Sequence, residues 1–417
     1  MTIPNYQLRP VHLVDLVPYL AIVCVIGFIL TIVPGLIWIE RVAVALIQDR
    51  VGPNRVGPRG LLQPIADGIK LFFKEEILPR DVDRFIYYLA PILTITPALA
   101  AAATLPFGKI HIATDSGVRS VYLVVGNVNI GILYILALAS LQVYGIVLAG
   151  WSSNNKYSLL GGLRSSAQVI SYELAMSLAI LAGVLMAGSL QLTTIVEHQS
   201  GYWFGVIPQW HVFQFGGLGA LVTLIYLISM VAETNRAPFD LPEAESELIG
   251  GFHTEYSSMK FAIFFMGEYA SMLVVSGVAT ALWFGGWSAP IGPAVPLLGP
   301  LCAAIPGWIW FVAKLMGFIL VYVWVRGTLP RLRYDALMKL GWKRMLPAAL
   351  VLLFAVACVD FARTPESRAE VTPPYAQVRP AAHGRRVALP VPMGIGRRSP
   401  LWGTPIGPAR GVGGPKR

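Results

Sequence analysis

Residues Leu16 to Ile39 read LVPYLAIVCVIGFILTIVPGLIWI, a run of 24 residues without an Asp, Glu, Lys, Arg or His. A helix rises about 1.5 Å per residue, so about 20 apolar residues cross a hydrocarbon core about 30 Å thick. The run is too long for the apolar part of a signal peptide, and Arg9 is the only Lys or Arg before it. We therefore expect this segment to remain in the protein as a membrane helix.

Further apolar runs of similar length follow along the whole chain. Together with the first, they lie near residues 16–39, 85–105, 122–150, 166–188, 212–233, 258–283, 307–329 and 345–361. The chain is 55% hydrophobic and 13% charged, whereas globular proteins are about a quarter charged, which excludes a free cytosolic enzyme. The sequence predicts an all-α polytopic membrane protein with about eight transmembrane helices in a domain covering residues 1–361.

Lys and Arg are distributed unevenly among the connections between these runs. Eight lie in residues 40–84 and five in residues 330–344, but none in 189–211 or 284–306. Because cytoplasmic loops carry the excess of Lys and Arg, we expect both termini outside. The cytoplasmic loops are then predicted at residues 40–84, 151–165, 234–257 and 330–344.

Residues 362–417 differ from the rest of the chain. They contain ten Lys or Arg, two acids, ten prolines and eight glycines, without a periodic apolar pattern. This composition predicts a disordered basic tail. The tail carries +8 of the net charge of +10, so the charge gives no reason to expect nucleic-acid binding by the membrane domain.

Metal and nucleotide sites are not indicated by the sequence. The three cysteines lie far apart in apolar surroundings, and the six histidines show no spacing typical of metal ligands. Neither a phosphate-binding loop nor a dinucleotide-binding glycine motif occurs in the chain. We therefore expect any redox centre to belong to partner proteins.

The connection after the first run combines charged residues with a rigid loop. Glu40 and Arg41 end the run, and two Gly-Pro pairs, beginning at Gly52 and Gly57, restrict the loop that follows. The charged pair alone could be an interfacial anchor, but the rigid loop favours a built site. Residues 61–78 then show an amphipathic period, which predicts an interfacial helix. That helix is either a simple anchor or the sill of an opening for a lipid-soluble ligand.

Six of the 22 acidic residues lie between Glu233 and Glu255, with Arg236 as their only basic companion. A solvated acidic loop is the ordinary explanation of such a run. Here the acids alternate with Pro, Phe, Leu and Ala and follow an apolar helix, which favours a loop folded back into the protein. The carboxyl groups of such a loop raise one another's pKa, since like charges and desolvation both disfavour ionisation.

Two more acids, Glu173 and Glu268, interrupt long apolar runs. Placing such a residue against lipid costs about 2.5 to 3.5 kcal/mol even on insertion scales. They must therefore face protein or water, either as parts of structural pairs or as members of a proton or ion relay.

At this point the sequence resembles a known family: the H subunit of bacterial NADH-quinone oxidoreductase, respiratory complex I, and its mitochondrial counterpart, NADH dehydrogenase subunit 1. The resemblance covers about residues 10–360. Its motifs are Glu40-Arg41, Asp49-Arg50-Val-Gly-Pro-Asn-Arg-Val-Gly-Pro-Arg-Gly60, Ala66-Asp-Gly-Ile-Lys-Leu-Phe-Phe-Lys-Glu75, Ser171-Tyr-Glu173, Ala232-Glu-Thr-Asn-Arg-Ala-Pro-Phe-Asp-Leu-Pro-Glu-Ala-Glu-Ser-Glu247 and His253-Thr-Glu-Tyr-Ser257.

The resemblance implies a multi-pass subunit of the inner (plasma) membrane that helps to form a quinone chamber and binds no cofactor itself. FMN and iron-sulfur clusters would lie on partner subunits, and further partners would be the antiporter-like membrane subunits. The residues that the family pattern assigns to the quinone passage are Glu40, Arg41, Asp67 and Phe239. Those that it assigns to an acidic proton path are Glu173, Glu233, Glu243, Glu245, Glu247 and Glu268.

A coupling mechanism follows as a hypothesis. Quinone reduction demands protons, so it would shift protonation along the coupled carboxylates, reorient residues 234–256 and drive the antiporter-like subunits. Unchanged proton pumping and quinone reduction in a Glu247→Gln variant would exclude this route.

Three alternatives remain open at this stage: a stand-alone cation or proton transporter, the corresponding subunit of an energy-converting hydrogenase-type complex, and a purely structural adaptor. The absence of a convincing internal repeat speaks against the transporter. The Gly-Pro loop and the amphipathic helix favour the quinone-binding relative.

Overall fold

The computed structural model describes residues 13–114, 117–240, 250–296 and 298–362. Within these ranges the chain is built mainly of long helices, with two short hairpins between them. The helices are α1 Leu13–Ile47, α2 Gln63–Phe73, α3 Arg84–Ala102, α4 Gly131–Ser152, α5 Lys156–Ala187, α6 Leu192–His198, α7 Leu218–Glu233, α8 Ser258–Trp283, α9 Leu298–Ala304, α10 Gly307–Thr328, α11 Tyr334–Leu340 and α12 Leu346–Ala362.

Eight of the helices in the described part of the chain are long and apolar enough to cross a membrane. They are α1, α3, α4, α5, α7, α8, α10 and a last helix of residues 334–362, in which a π-helical turn, Gly341–Met345, joins α11 to α12. The all-α polytopic architecture predicted from the sequence is thus confirmed.

Helix α5 begins earlier than the apolar run near residues 166–188 indicates. The side chain of Asn155 accepts a hydrogen bond from the Tyr157 amide at 3.0 Å and caps the helix, which then continues to Ala187. Its first turns are polar but buried: Ser158 and Ser165 lie inside the protein. A search for apolar runs misses these turns because they pack against protein and not against lipid.

Two antiparallel hairpins interrupt the helices, and neither was predicted. Strands β1 (Gly108–Thr114) and β2 (Gly117–Leu123) form the first, while β3 (Tyr202–Trp203) and β4 (Ile207–Pro208) form the second. The third span consequently begins at Gly131 and not near residue 122. The apolar, β-branched residues of β2 and the segment after it resemble a continuation of the span in composition.

Helix α2 is the predicted amphipathic helix, although it is shorter than residues 61–78. Its apolar side chains Ile65, Ile69 and Phe73 are exposed, as expected for a helix that faces the bilayer interface. The predicted basic tail begins at Ala362, the last residue of α12, and its remaining residues lie outside the described part of the chain.

The core lies where α5, α7 and α8 meet. Large side chains that are completely or almost completely buried there include Tyr172, Tyr226 and Trp283. Close helix contacts depend on glycine: a Cβ on Gly150 would lie 2.7 Å from the Ser158 carbonyl oxygen. This packing fixes the orientation of α8, which carries Glu268 and Tyr269.

Candidate functional site

A cavity of about 850 Å³ lies between α1, α2, α8 and the end of α10. Its size falls in the range of pockets that hold small ligands, about 300 to 1,000 Å³. Most of its walls are apolar. The polar and charged residues among its lining residues are Glu40, Arg41, Gln48, Arg50, Asp67, Arg236, Tyr269 and Arg326.

Glu40 is the centre of a buried polar cluster in the wall of this cavity. Only 7% of the residue is exposed. Tyr269 donates a hydrogen bond to its Oε2 at 2.5 Å, and the Arg326 guanidinium forms an ion pair with its Oε1. These bonds join α1, α8 and α10, and they satisfy a carboxylate that would be costly to bury alone.

Arg41 and Asp67 connect α1 to the amphipathic helix. The two side chains form an ion pair at 2.6 Å, and Gln63 donates to the other carboxylate oxygen of Asp67 at 3.0 Å. The intervening loop is compact because Gly60 adopts a φ of +70° and lies against Pro53, where a Cβ would be 2.1 Å from the carbonyl oxygen. The loop thereby holds α2 beside the cavity.

Arg236 connects the cavity wall to the acidic residues deeper in the protein. It is buried, its guanidinium lies 4.2 Å from the centre of the Tyr269 ring, and its Nη2 is 4.0 Å from Glu268 Oε2. Arg236 thus contacts a residue that binds Glu40 on one side and a membrane-embedded carboxylate on the other.

Glu268 and Glu233 line a second, narrow cavity of about 50 Å³. Gln142 and Ser271 also line it, and the Ser271 hydroxyl donates to Gln142 Oε1 at 2.8 Å. A water molecule needs about 10 to 15 Å³ of such space and two to four polar partners. The cavity therefore has room and hydrogen-bonding groups for a short file of water between the two carboxylates.

Glu173 lies beyond this cavity, on α5. The hydroxyl of Ser140 donates a hydrogen bond to it, and Glu173 is close enough to Glu233 for the two carboxylates to interact electrostatically. Ser140 is on α4, two residues before Gln142. The structure therefore places Glu268, Glu233 and Glu173 in sequence along one side of the bundle.

The other predicted site residues lie elsewhere. Phe239 lines neither cavity; it is buried against Tyr172 at a ring distance of 5.5 Å, and its carbonyl oxygen accepts from Gln168 at 2.8 Å. Glu243, Glu245 and Glu247 lie outside the described residues. Within the described ranges, no group of three or more His, Cys, Asp or Glu could hold a metal ion.

Tyr269 and Arg326 were missed by the sequence reasoning, and Arg236 was noted only as a companion of the acids. Tyr269 and Arg326 bind Glu40 across sequence separations of 229 and 286 residues, which no local pattern reveals. A usable indication was available for Arg326, since an arginine at the end of an apolar span usually has a polar partner.

Comparisons with known proteins agree on one family. A family model described as NADH dehydrogenase matches residues 20–357. The second of the numbered H subunits of NADH-quinone oxidoreductase from Koribacter versatilis is 47% identical over 82% of this chain and 96% of its own length. The first such H subunit of Geobacter metallireducens is 48% identical over 82% and 96%, and the H subunit of Frankia casuarinae is 50% identical over 80% and 71%.

Proposed function

The chain belongs to the family of the H subunit of NADH-quinone oxidoreductase, and we propose that its larger cavity binds the quinone whose reduction this enzyme complex catalyses. It is accordingly a multi-pass membrane subunit of a multi-subunit enzyme. The relatives described above are NADH-quinone oxidoreductase subunits, which disfavours the stand-alone transporter and the hydrogenase-type alternative.

The composition of the cavity supports quinone as its ligand. A quinone has an apolar ring and tail with two carbonyl oxygens, and the cavity combines apolar walls, such as Ile37, Phe265 and Met266, with polar groups at one side. Guanidinium groups of Arg41 and Arg236 can donate hydrogen bonds to quinone oxygens. FMN and iron-sulfur clusters, in this proposal, lie on partner subunits and deliver the electrons.

Helix α2 provides a route from the bilayer. Its apolar side chains Ile65, Ile69 and Phe72 are exposed, while Pro64, Asp67 and Gly68 line the cavity. A lipid-soluble quinone could therefore pass from the hydrocarbon along α2 into the cavity. In this account, the Arg41–Asp67 ion pair keeps the helix in place and so sets the width of the entrance.

The second part of the proposal concerns protons. Reduction of a quinone to a quinol takes up two electrons and two protons, and the new charge would first act on the Glu40 cluster. Arg236 would transmit this change, since its guanidinium contacts the Tyr269 ring and approaches Glu268. Protonation would then shift along Glu268, Glu233 and Glu173, towards the neighbouring antiporter-like subunits.

Residues 241–249 complete the proposed acidic path in the sequence, through Glu243, Glu245 and Glu247. Their neighbours Arg236 and Asp240 are buried, so the loop enters and leaves the protein interior. Phe239 supports this loop by packing on Tyr172, and we no longer place it in the wall of the quinone cavity.

Photoaffinity labelling tests the quinone assignment. The intact complex is illuminated with an azido-quinone, and labelled peptides are identified by mass spectrometry. We expect labelling in residues 33–53 and 259–269, which line the cavity, and its suppression by excess short-chain quinone. Suppressible labelling confined to other subunits would contradict the assignment.

A further inference from the structure

Five basic residues lie close together at the start of the last membrane helix. Two of them have acidic partners: Arg331 pairs with Asp240 at 3.3 Å, and Arg333 pairs with Asp335 at 3.8 Å. The other three are Lys339, Lys343 and Arg344, which are exposed. Within the described residues these three form no ion pair, and we refer to them as the basic turn.

The π-helical turn, Gly341–Met345, brings the three cations together. Hydrogen bonds in such a turn join residues five apart, so positions i+4 and i+5 both lie roughly one turn from position i. Lys343 and Arg344 therefore both follow Lys339 on the same side of the helix. In a regular α-helix, position i+5 would be turned well away from position i.

The opposite side of this helix packs against the protein. Leu337, Gly341, Met345 and Ala349 are buried there. The outward side continues below the basic turn as an apolar surface, with Leu350, Val351 and Phe354 exposed by 51%, 67% and 73%. One face thus carries three cations above a stripe of apolar side chains.

The length of the helix places the basic turn at the membrane surface. Residues 334–362 form a helix of 29 residues, about 43 Å long at 1.5 Å per residue, whereas the hydrocarbon core is about 30 Å thick. Because residues 345–361 are almost entirely apolar, the end that projects from the hydrocarbon is the one with the basic turn. Trp342 marks the same level: its indole is half exposed and donates to Ser171 at 3.0 Å.

We propose that the basic turn and the apolar stripe below it form a binding site for one anionic phospholipid. The headgroup phosphate contacts Lys339, Lys343 and Arg344, and an acyl chain lies along Leu350, Val351 and Phe354. Charge complementarity favours this occupant, because three exposed cations at headgroup level meet the phosphates of acidic lipids. The apolar stripe distinguishes it from free phosphate, which would gain nothing from those side chains.

A photo-crosslink from the apolar stripe identifies what covers it. Phe354 is replaced by p-benzoylphenylalanine in the assembled complex, which is reconstituted with phosphatidylcholine and phosphatidylglycerol at about 3:1 and illuminated. We expect phosphatidylglycerol to form at least about twice the share of lipid adducts that its mole fraction gives. The enrichment should disappear in a K339Q/K343Q/R344Q variant and persist in K339R/K343R/R344K.

Lys156 provides a matched control. It is an exposed lysine at the start of α5, so Lys156→Gln removes a positive charge without touching the basic turn and should leave the enrichment unchanged. If the triple glutamine variant fails to assemble, the unmodified turn can be tested in about 0.5 M salt, which screens the charges and should abolish the enrichment. Adducts at the mole fraction of the bilayer, or adducts to a neighbouring subunit in place of lipid, would overturn the proposal.

Discussion

At the scale of single residues, the account depends on how the buried Glu40 is held. Its two oxygens are bound from two different helices, by Tyr269 and by Arg326. A carboxylate held in this way can respond to charge at the quinone without being free to move. The Glu40–Arg41 motif indicated that this position mattered, but its two partners emerged only from the fold.

Tyr269→Phe tests this arrangement. The change removes the hydroxyl that donates to Glu40, and losing a hydrogen bond to a charged group costs about 1.5 to 3 kcal/mol. We expect quinone reduction to fall about tenfold, while NADH oxidation by an artificial acceptor of electrons from the hydrophilic subunits is unchanged. Tyr202→Phe is the control, since Tyr202 donates only to the Ala289 carbonyl oxygen at the other end of the bundle. Equal effects of the two changes would contradict the role given to Tyr269.

His211 gives a prediction about pH. Burial lowers the pKa of its imidazole from 6.5 to about 4, and Nδ1 lies 2.7 Å from the Leu282 carbonyl oxygen. Between those two pKa values the unfolded chain binds a proton that the folded chain does not, so stability is lost as the pH falls from about 6.5 to about 4. The loss reaches about 3 kcal/mol at most.

Thermal inactivation measured between pH 7.5 and 5 checks this prediction. The unmodified subunit in its complex should lose stability over that range, and His211→Gln should reduce the dependence because glutamine does not titrate. An identical pH dependence in the two proteins would show that other groups cause it.

At the scale of elements, the function depends on helices that approach closely. Gly161 on α5 lies against the backbone of Gly251, where a Cβ would be 2.7 Å from the Gly251 Cα atom. Neither backbone can yield easily, because α5 and the turn after the acidic loop are both buried there. This contact therefore fixes where the acidic loop returns to the bundle.

Gly161→Ala should destabilise the subunit by about 1 to 3 kcal/mol, as expected for an overpacked contact. The matched control is Gly317→Ala on α10, where an added Cβ meets nothing within 4 Å. The measurement is the midpoint of thermal unfolding of the complex, and we expect it to fall only in the Gly161 variant. Equal midpoints would mean that the contact can relax at no cost.

The elements also mark the limit of prediction from sequence. Apolar runs located the eight spans, because a membrane helix is defined by composition and length. They misplaced the starts of α4 and α5, where strand β2 resembles a span and the polar first turns of α5 do not. Whether a residue faces lipid or protein is set by tertiary packing, which single-sequence patterns do not contain.

At the scale of the whole molecule, the polar groups form one continuous arrangement. It begins at the entrance beside α2, passes the Glu40 cluster and Arg236, and continues through Glu268 and Glu233 to Glu173. The sequence indicated most of these residues through motifs and through acids in apolar runs. Their order in space could not be predicted, because they come from several different helices and one loop.

The central claim is that these carboxylates couple quinone reduction to proton translocation. Glu233 is the most informative position, since it lies between Glu268 and Glu173 and lines the narrow cavity. Glu197→Gln is a matched control: Glu197 is a largely buried carboxylate bound by Lys109 and Tyr122, and it lines neither of the two cavities.

The most direct measurement is the number of protons translocated per NADH oxidised by the complex in sealed liposomes. With Glu233→Gln we expect this ratio to fall to about half or less while electron transfer to quinone continues, or both to stop together if coupling is strict. Glu197→Gln should leave both unchanged. A Glu233→Gln complex that assembles and retains the full ratio at the full rate of quinone reduction would contradict the account.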